Sequence, residues 1–126
     1  MSGKKVLVVE DDVDVRQSIL LALELEKYEV FEAGNGQEAL QFLTTCTPLQ
    51  KPGCIILDLM MPVMDGLKFL ELITTVYAGV LDDIPIIITT ARGNSQDKLQ
   101  LPHTVARIQK PMDIDELFEV VEKYCK

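Results

Sequence analysis

Short apolar runs alternate along the chain with longer stretches whose apolar residues recur every three or four positions. Lys5–Val9, Glu29–Ala33, Cys54–Leu57, Ile84–Thr89 and Val105–Gln109 have the length and β-branched content of buried strands. Between them, residues 14–27 place Val15, Ile19, Ala22, Leu23 and Leu25 toward one helical face, and residues 36–46 offer Ala39, Leu40, Phe42 and Leu43. Residues 66–76 offer Leu67, Leu70, Ile73 and Val76, and residues 114–123 offer Leu117, Phe118, Val120 and Val121, with Tyr124 just beyond. Asn35 with Glu38, and Asp113 with Glu116, have the spacing of capping boxes. A further helix, between the fourth and fifth strands, has room only over Ser95–Leu101, because Pro102 stops it early.

Five strands alternating with helices predict an α/β fold with a parallel sheet covered on both faces. Right-handed crossovers make a doubly wound sheet the expected arrangement. The 126 residues are enough for one core, so residues 1–126 are expected to form a single domain. A formal charge of −8 argues against direct nucleic-acid binding, which needs clustered cations, and against an anionic membrane surface. The acidic residues that follow Val9 cut the first apolar run too short for a signal peptide or a membrane insertion, so a cytoplasmic location is expected. Cys46, Cys54 and Cys125 are widely spaced and odd in number, which argues against structural disulfides or zinc and leaves them as small packing residues.

In such a sheet the chemistry sits beyond the carboxyl ends of the strands. Glu10, Asp11 and Asp12 follow the first strand, Asp58 the third, Thr90 the fourth and Lys110 the fifth. Taken singly, each is an ordinary cap, loop or strand-end residue. Brought together, the carboxylates repel unless a cation joins them, and an all-oxygen site without His or Cys suits Mg2+. An ammonium and a hydroxyl across from it can hold an anion, and a carboxylate there can act as nucleophile toward phosphorus.

The segments VLVVEDD at 6–12, DLMMPVMDG at 58–66, TA at 90–91 and KP at 110–111 resemble the signature of response-regulator receiver domains, and the resemblance spans essentially the whole chain. The expected fold is then flavodoxin-like, a doubly wound five-stranded parallel sheet of order 2-1-3-4-5 with five helices, the fourth short or irregular. The resemblance implies Asp58 as phosphoacceptor, Glu10, Asp11 and Asp58 with the carbonyl of Met60 around Mg2+, Thr90 as the switch hydroxyl, and Lys110 as the site lysine. It also implies a cis bond between Lys110 and Pro111. Asp12 falls just past the acidic pair, where capping is its expected role and metal contact the alternative.

The implied activity is transfer of a phosphoryl group from a phosphohistidine to Asp58, with Thr90 and Lys110 switching a surface for a downstream effector protein. The partner would be a sensor histidine kinase or a histidine phosphotransfer protein. Such a domain catalyses its own phosphorylation and dephosphorylation but is no turnover enzyme. The chain departs from the pattern at Arg107, where family members carry an aromatic residue three positions before the lysine. It departs again at Pro102-His103-Thr104, which replaces the usual end of the fourth helix. Arg107 and His103 are expected at the surface, and Arg92 near the phosphorylation site. A receiver-shaped interaction module that works without phosphorylation is therefore the alternative. A flavin carrier would need a Gly- and hydroxyl-rich loop where Glu10-Asp11-Asp12 stands, and an aspartyl phosphatase generally needs an acid where Met60 stands.

Overall fold

In a computed structural model, which describes residues 4–59, 66–75, 79, 84–91 and 103–126, the chain forms one five-stranded parallel sheet. The strands are β1 (Lys5–Val9), β2 (Glu29–Ala33), β3 (Cys54–Asp58), β4 (Ile86–Ala91) and β5 (Thr104–Lys110). Their spatial order is β2-β1-β3-β4-β5, as the resemblance implies. Four α-helices lie among the described residues: α1 (Val13–Leu25), α2 (Gly36–Thr45), α3 (Gly66–Thr75) and α4 (Ile114–Tyr124). A short 3-10 turn, Pro48–Gln50, precedes β3. The helix expected over Ser95–Leu101, together with Arg92, lies outside the described residues.

The period of two along each strand divides the core into two layers. Leu7, Val9, Ile55, Leu57, Ile86 and Ile88 pack with residues of α2 and α3. Val6, Val8, Cys54, Ile56, Ile87 and Ile108 pack with Ile19 and Leu23 of α1 and with Leu117 and Val121 of α4. Burying both faces explains why β3 has no polar alternation: every residue of it is inside.

Two sequence expectations shift for local reasons. The fourth strand begins at Ile86 rather than Ile84, because Pro85 has no N–H for the ladder; the pairing opens with Ile86 N donating to His103 O at 2.8 Å. It also runs on to Ala91, which pairs with Lys110. In α1, Leu25 is 78% exposed instead of buried. Two positions beyond Leu23, it sits on the far side of the helix.

Both N-caps form, each varying from the predicted box. Asn35 Oδ1 accepts from Glu38 N at 2.9 Å, and Glu38 Oε1 reaches past the cap residue to accept from Gly34 N at 2.7 Å. Asp113 Oδ1 accepts from Asp115 N at 2.9 Å. His103 is exposed in a turn at φ 60°, a left-handed conformation that His tolerates better than most residues. Arg107 is half-buried rather than displayed on the surface.

The start of α3 is fastened to the residue that follows Asp58. Gly66 N donates to Leu59 O at 2.9 Å, and a Cβ on Gly66 would stand 2.7 Å from Leu59 Cα and 2.8 Å from Asp58 O. Both obstacles are backbone, so neither can rotate away. Gly66→Ala should therefore cost about 1–3 kcal/mol of stability, read as an earlier urea midpoint. An unchanged midpoint would mean that α3 can slide off β3 freely.

Candidate functional site

Glu10, Asp58 and Lys110 share even parity with Val8, Ile56 and Ile108, so each continues the strand face that packs on α1 and α4. They meet at the carboxyl end of the sheet. Lys110 Nζ lies 2.7 Å from Glu10 Oε1 and 3.2 Å from Asp58 Oδ2, spanning β4 to bridge β1 and β3. Glu10 and Asp58 are almost wholly buried, whereas Lys110 keeps part of its side chain in solvent. Ligand oxygens of Glu10, Asp11 and Asp58 lie within 4.8 Å of one another, and Asp11 is exposed. Met60 lies outside the described residues.

The peptide bond between Lys110 and Pro111 is cis, in agreement with the resemblance. Asp12 is a cap: its Oδ1 accepts from Asp14 N at 2.9 Å and from Val15 N at 3.2 Å. Its own N–H donates to Glu10 Oε2 at 3.2 Å, which helps to orient that carboxylate. Thr90 is buried at the end of β4, and its hydroxyl has no hydrogen-bond partner among the described residues. Such a group is costly unless it serves something that binds there.

Arg16 is a contributor the sequence reading missed. Its Nη1 donates to the Glu10 carbonyl at 2.8 Å, and its Nε donates to Glu32 Oε1 at 2.9 Å. It thereby braces the main chain between the two leading carboxylates against β2. The available signal was a lone Arg one helical turn past Asp12, on the only basic position of α1.

Burial raises the Glu10 carboxyl from 4.5 to about 7, with the neighbouring Asp58 adding to the shift and Lys110 opposing it. Burial pushes the Lys110 ammonium down, but its pairing with Glu10 and Asp58 outweighs this and its pKa is raised. The site therefore holds more negative charge than one ammonium balances. Three carboxylates, an all-oxygen donor set and an orphaned hydroxyl fit a hard divalent cation beside an anion.

This gives a pH dependence. Because the folded pKa of Glu10 lies above its unfolded value, the folded state holds the extra proton between about pH 4.5 and 7. Stability of the metal-free protein should then fall as pH rises through that window, by about 1–3 kcal/mol. Urea midpoints at pH 5 and pH 8 in chelator measure this, and Glu10→Gln should flatten the slope. A slope of the opposite sign would show that the acidic cluster is not under strain.

A model of the response regulator receiver domain matches residues 6–122. The chain is 32% identical over 127 residues to the sporulation initiation phosphotransferase F of Bacillus subtilis, covering 98% of this chain and 95% of that protein. Other matched regulators are longer, and the chain spans 41% of one and 38% of another. Among solved structures, a CheY-like receiver domain protein from Methanospirillum hungatei superposes with a TM-score of 0.84 at 26% identity, covering 97% of this chain and 94% of that one. The response regulator TrrA of Thermotoga maritima, solved in complex with Mg2+-BeF, superposes with a TM-score of 0.77 at 30% identity, covering 96% and 98%. No helix among the described residues is long and apolar enough to cross a membrane.

Proposed function

The chain belongs to the response regulator receiver domain family, and from that premise we propose that it takes a phosphoryl group from a partner phosphohistidine onto Asp58 in a Mg2+-dependent reaction. The observation that carries the reading is the junction of Glu10, Asp11, Asp58 and Lys110 at one end of the sheet. Glu10, Asp11 and Asp58, with the carbonyl of Met60, would hold the metal, which when bound neutralises charge on the transferring oxygens. Asp58 supplies the attacking oxygen, the bond from phosphorus to the donor imidazole breaks, and the imidazole leaves with a proton.

Lys110 already contacts Asp58 Oδ2 and is positioned to pair with a phosphoryl oxygen. The buried Thr90 hydroxyl would gain a partner from another. Drawing Thr90 and Lys110 toward the new oxygens is the switch we propose for an effector-binding surface, with both residues sitting on the ends of paired strands. A sensor histidine kinase or histidine phosphotransfer protein is the proposed donor. The domain acts on itself rather than on an external substrate.

The test is intact mass after incubation with Mg2+ and a small-molecule phosphodonor, alongside chelator and Asp58→Asn controls. One added phosphate that needs Mg2+ and is removed by hydroxylamine, as an acyl phosphate is, supports the reading. No uptake by folded protein, with a donor that labels another receiver in parallel, overturns it in favour of a phosphorylation-independent interaction module.

A further inference from the structure

The opposite end of β3 carries a pair of cysteines that the phosphoryl chemistry does not use. Cys54 is the first residue of β3 and Cys125 caps the end of α4; both are free thiols in one core cluster, 0% and 5% exposed. Two backbone hydrogen bonds and one from a thiol bring them together. Lys126 N donates to Gly53 O at 3.2 Å, running the chain after α4 alongside the entry to β3. Gly53 N donates to Lys5 O at 2.7 Å, and Cys125 Sγ donates to that same carbonyl at 3.5 Å. The approach is close enough that a Cβ on Gly53 would run into the Lys126 carbonyl oxygen, so only glycine lets the tail lie there. With residues 53 and 126 adjacent, 54 and 125 sit side by side, and both thiols are buried in the same core cluster.

From this geometry we propose that Cys54 and Cys125 form a peroxide-sensitive thiol pair that closes into a disulfide joining β3 to the end of α4. The two sulfurs have different roles. The neighbouring Cys54 thiol lowers the Cys125 pKa against the effect of burial, and Lys4 lowers it further. The same proximity, together with burial, raises that of Cys54. Cys125 also lines a cavity of about 540 Å3 with His103, Lys123 and Lys126, an entry for a small oxidant. The Cys125 thiolate attacks one oxygen of hydrogen peroxide, whose O–O bond breaks to release hydroxide, leaving a sulfenic acid. The Cys54 sulfur then attacks that sulfur, its proton leaves with the departing hydroxyl as water, and the S–S bond forms. Overall, two thiols and one peroxide give one disulfide and two waters. Cys46, half-buried after α2, stands apart and serves as an internal control.

The experiment treats the whole chain with hydrogen peroxide, then unfolds it and alkylates it. The wild type should lose 2 Da before alkylation and take one alkyl group, on Cys46, instead of three. Peptide mapping should join the Cys54 and Cys125 peptides, dithiothreitol should restore all three thiols, and the melting temperature should rise by several degrees. Cys54→Ala should leave a dimedone-trappable sulfenic acid at Cys125, whereas Cys125→Ala should leave Cys54 reduced. If either variant unfolds, the wild-type mapping decides alone. Three alkylated thiols after peroxide, a bond that includes Cys46, or Cys125 oxidising no faster than Cys46 would overturn the proposal.

Discussion

Asp58→Asn should abolish phosphoryl uptake and at the same time stabilise the metal-free fold. The first effect follows because an amide oxygen is a poor nucleophile and cannot form the acyl phosphate, so uptake should fall below detection by intact mass. The second comes from the electrostatics of the apo site. Asp58 and Glu10 are buried carboxylates that meet one ammonium, and Asp58 contributes to holding the Glu10 carboxyl at about 7. Removing one charge lowers that cost, for an expected gain of about 1–2 kcal/mol at pH 8 in chelator. The stabilisation that millimolar Mg2+ gives the wild type should shrink in the variant, because one metal ligand is weakened. Loss of uptake together with loss of stability would mean that Asp58 is held by contacts that outweigh its repulsion with Glu10.

How much of this the sequence discloses depends on the range of the interaction. Strands and caps are local, so Lys5–Val9 and Glu29–Ala33 match the structure residue for residue and Asn35 caps as its spacing predicts. The shared face of Glu10, Asp58 and Lys110 also follows from a period of two, once the order of strands is known. What the pattern does not disclose is reach across the fold. The hold of Arg16 on the Glu10 carbonyl depends on how α1 crosses β1. The meeting of Cys54 with Cys125 depends on where the chain lies after α4, 71 positions later in sequence. Phe69, fully buried, escaped the apolar stripe read for α3 because Leu67, Leu70, Ile73 and Val76 already recur at every third position. Phe69 faces the same layer as Leu70 and Ile73, which the helix needs because it packs on both the sheet and α2.

Lys110→Ala should have the reverse effect on the fold and a comparable one on the reaction. It removes the ammonium that joins Glu10 Oε1 and Asp58 Oδ2, leaving two buried carboxylates facing each other. Breaking a buried pair from one side costs more than the pair itself contributes, here about 2–4 kcal/mol at pH 8 in chelator. The cost depends on pH in a way that identifies its origin. With the ammonium gone, only the weaker hydrogen bond from Asp12 N opposes burial and Asp58 in raising the Glu10 pKa, so Glu10 binds its proton to still higher pH. At pH 6 that proton takes over part of the role of the lysine, and the deficit relative to wild type should narrow. Mg2+ should narrow it at pH 8 for the same reason, by supplying the missing positive charge. Uptake is a separate matter, because neither proton nor metal occupies the position of the lysine against a phosphoryl oxygen. It should therefore stay roughly 100-fold slower even where the fold is rescued. Urea midpoints at pH 6 and 8, with and without Mg2+, beside a time course of intact mass, separate the two roles. A deficit independent of pH would assign the loss to the packing of the Lys110 alkyl chain, and full recovery of uptake with Mg2+ would remove Lys110 from the reaction.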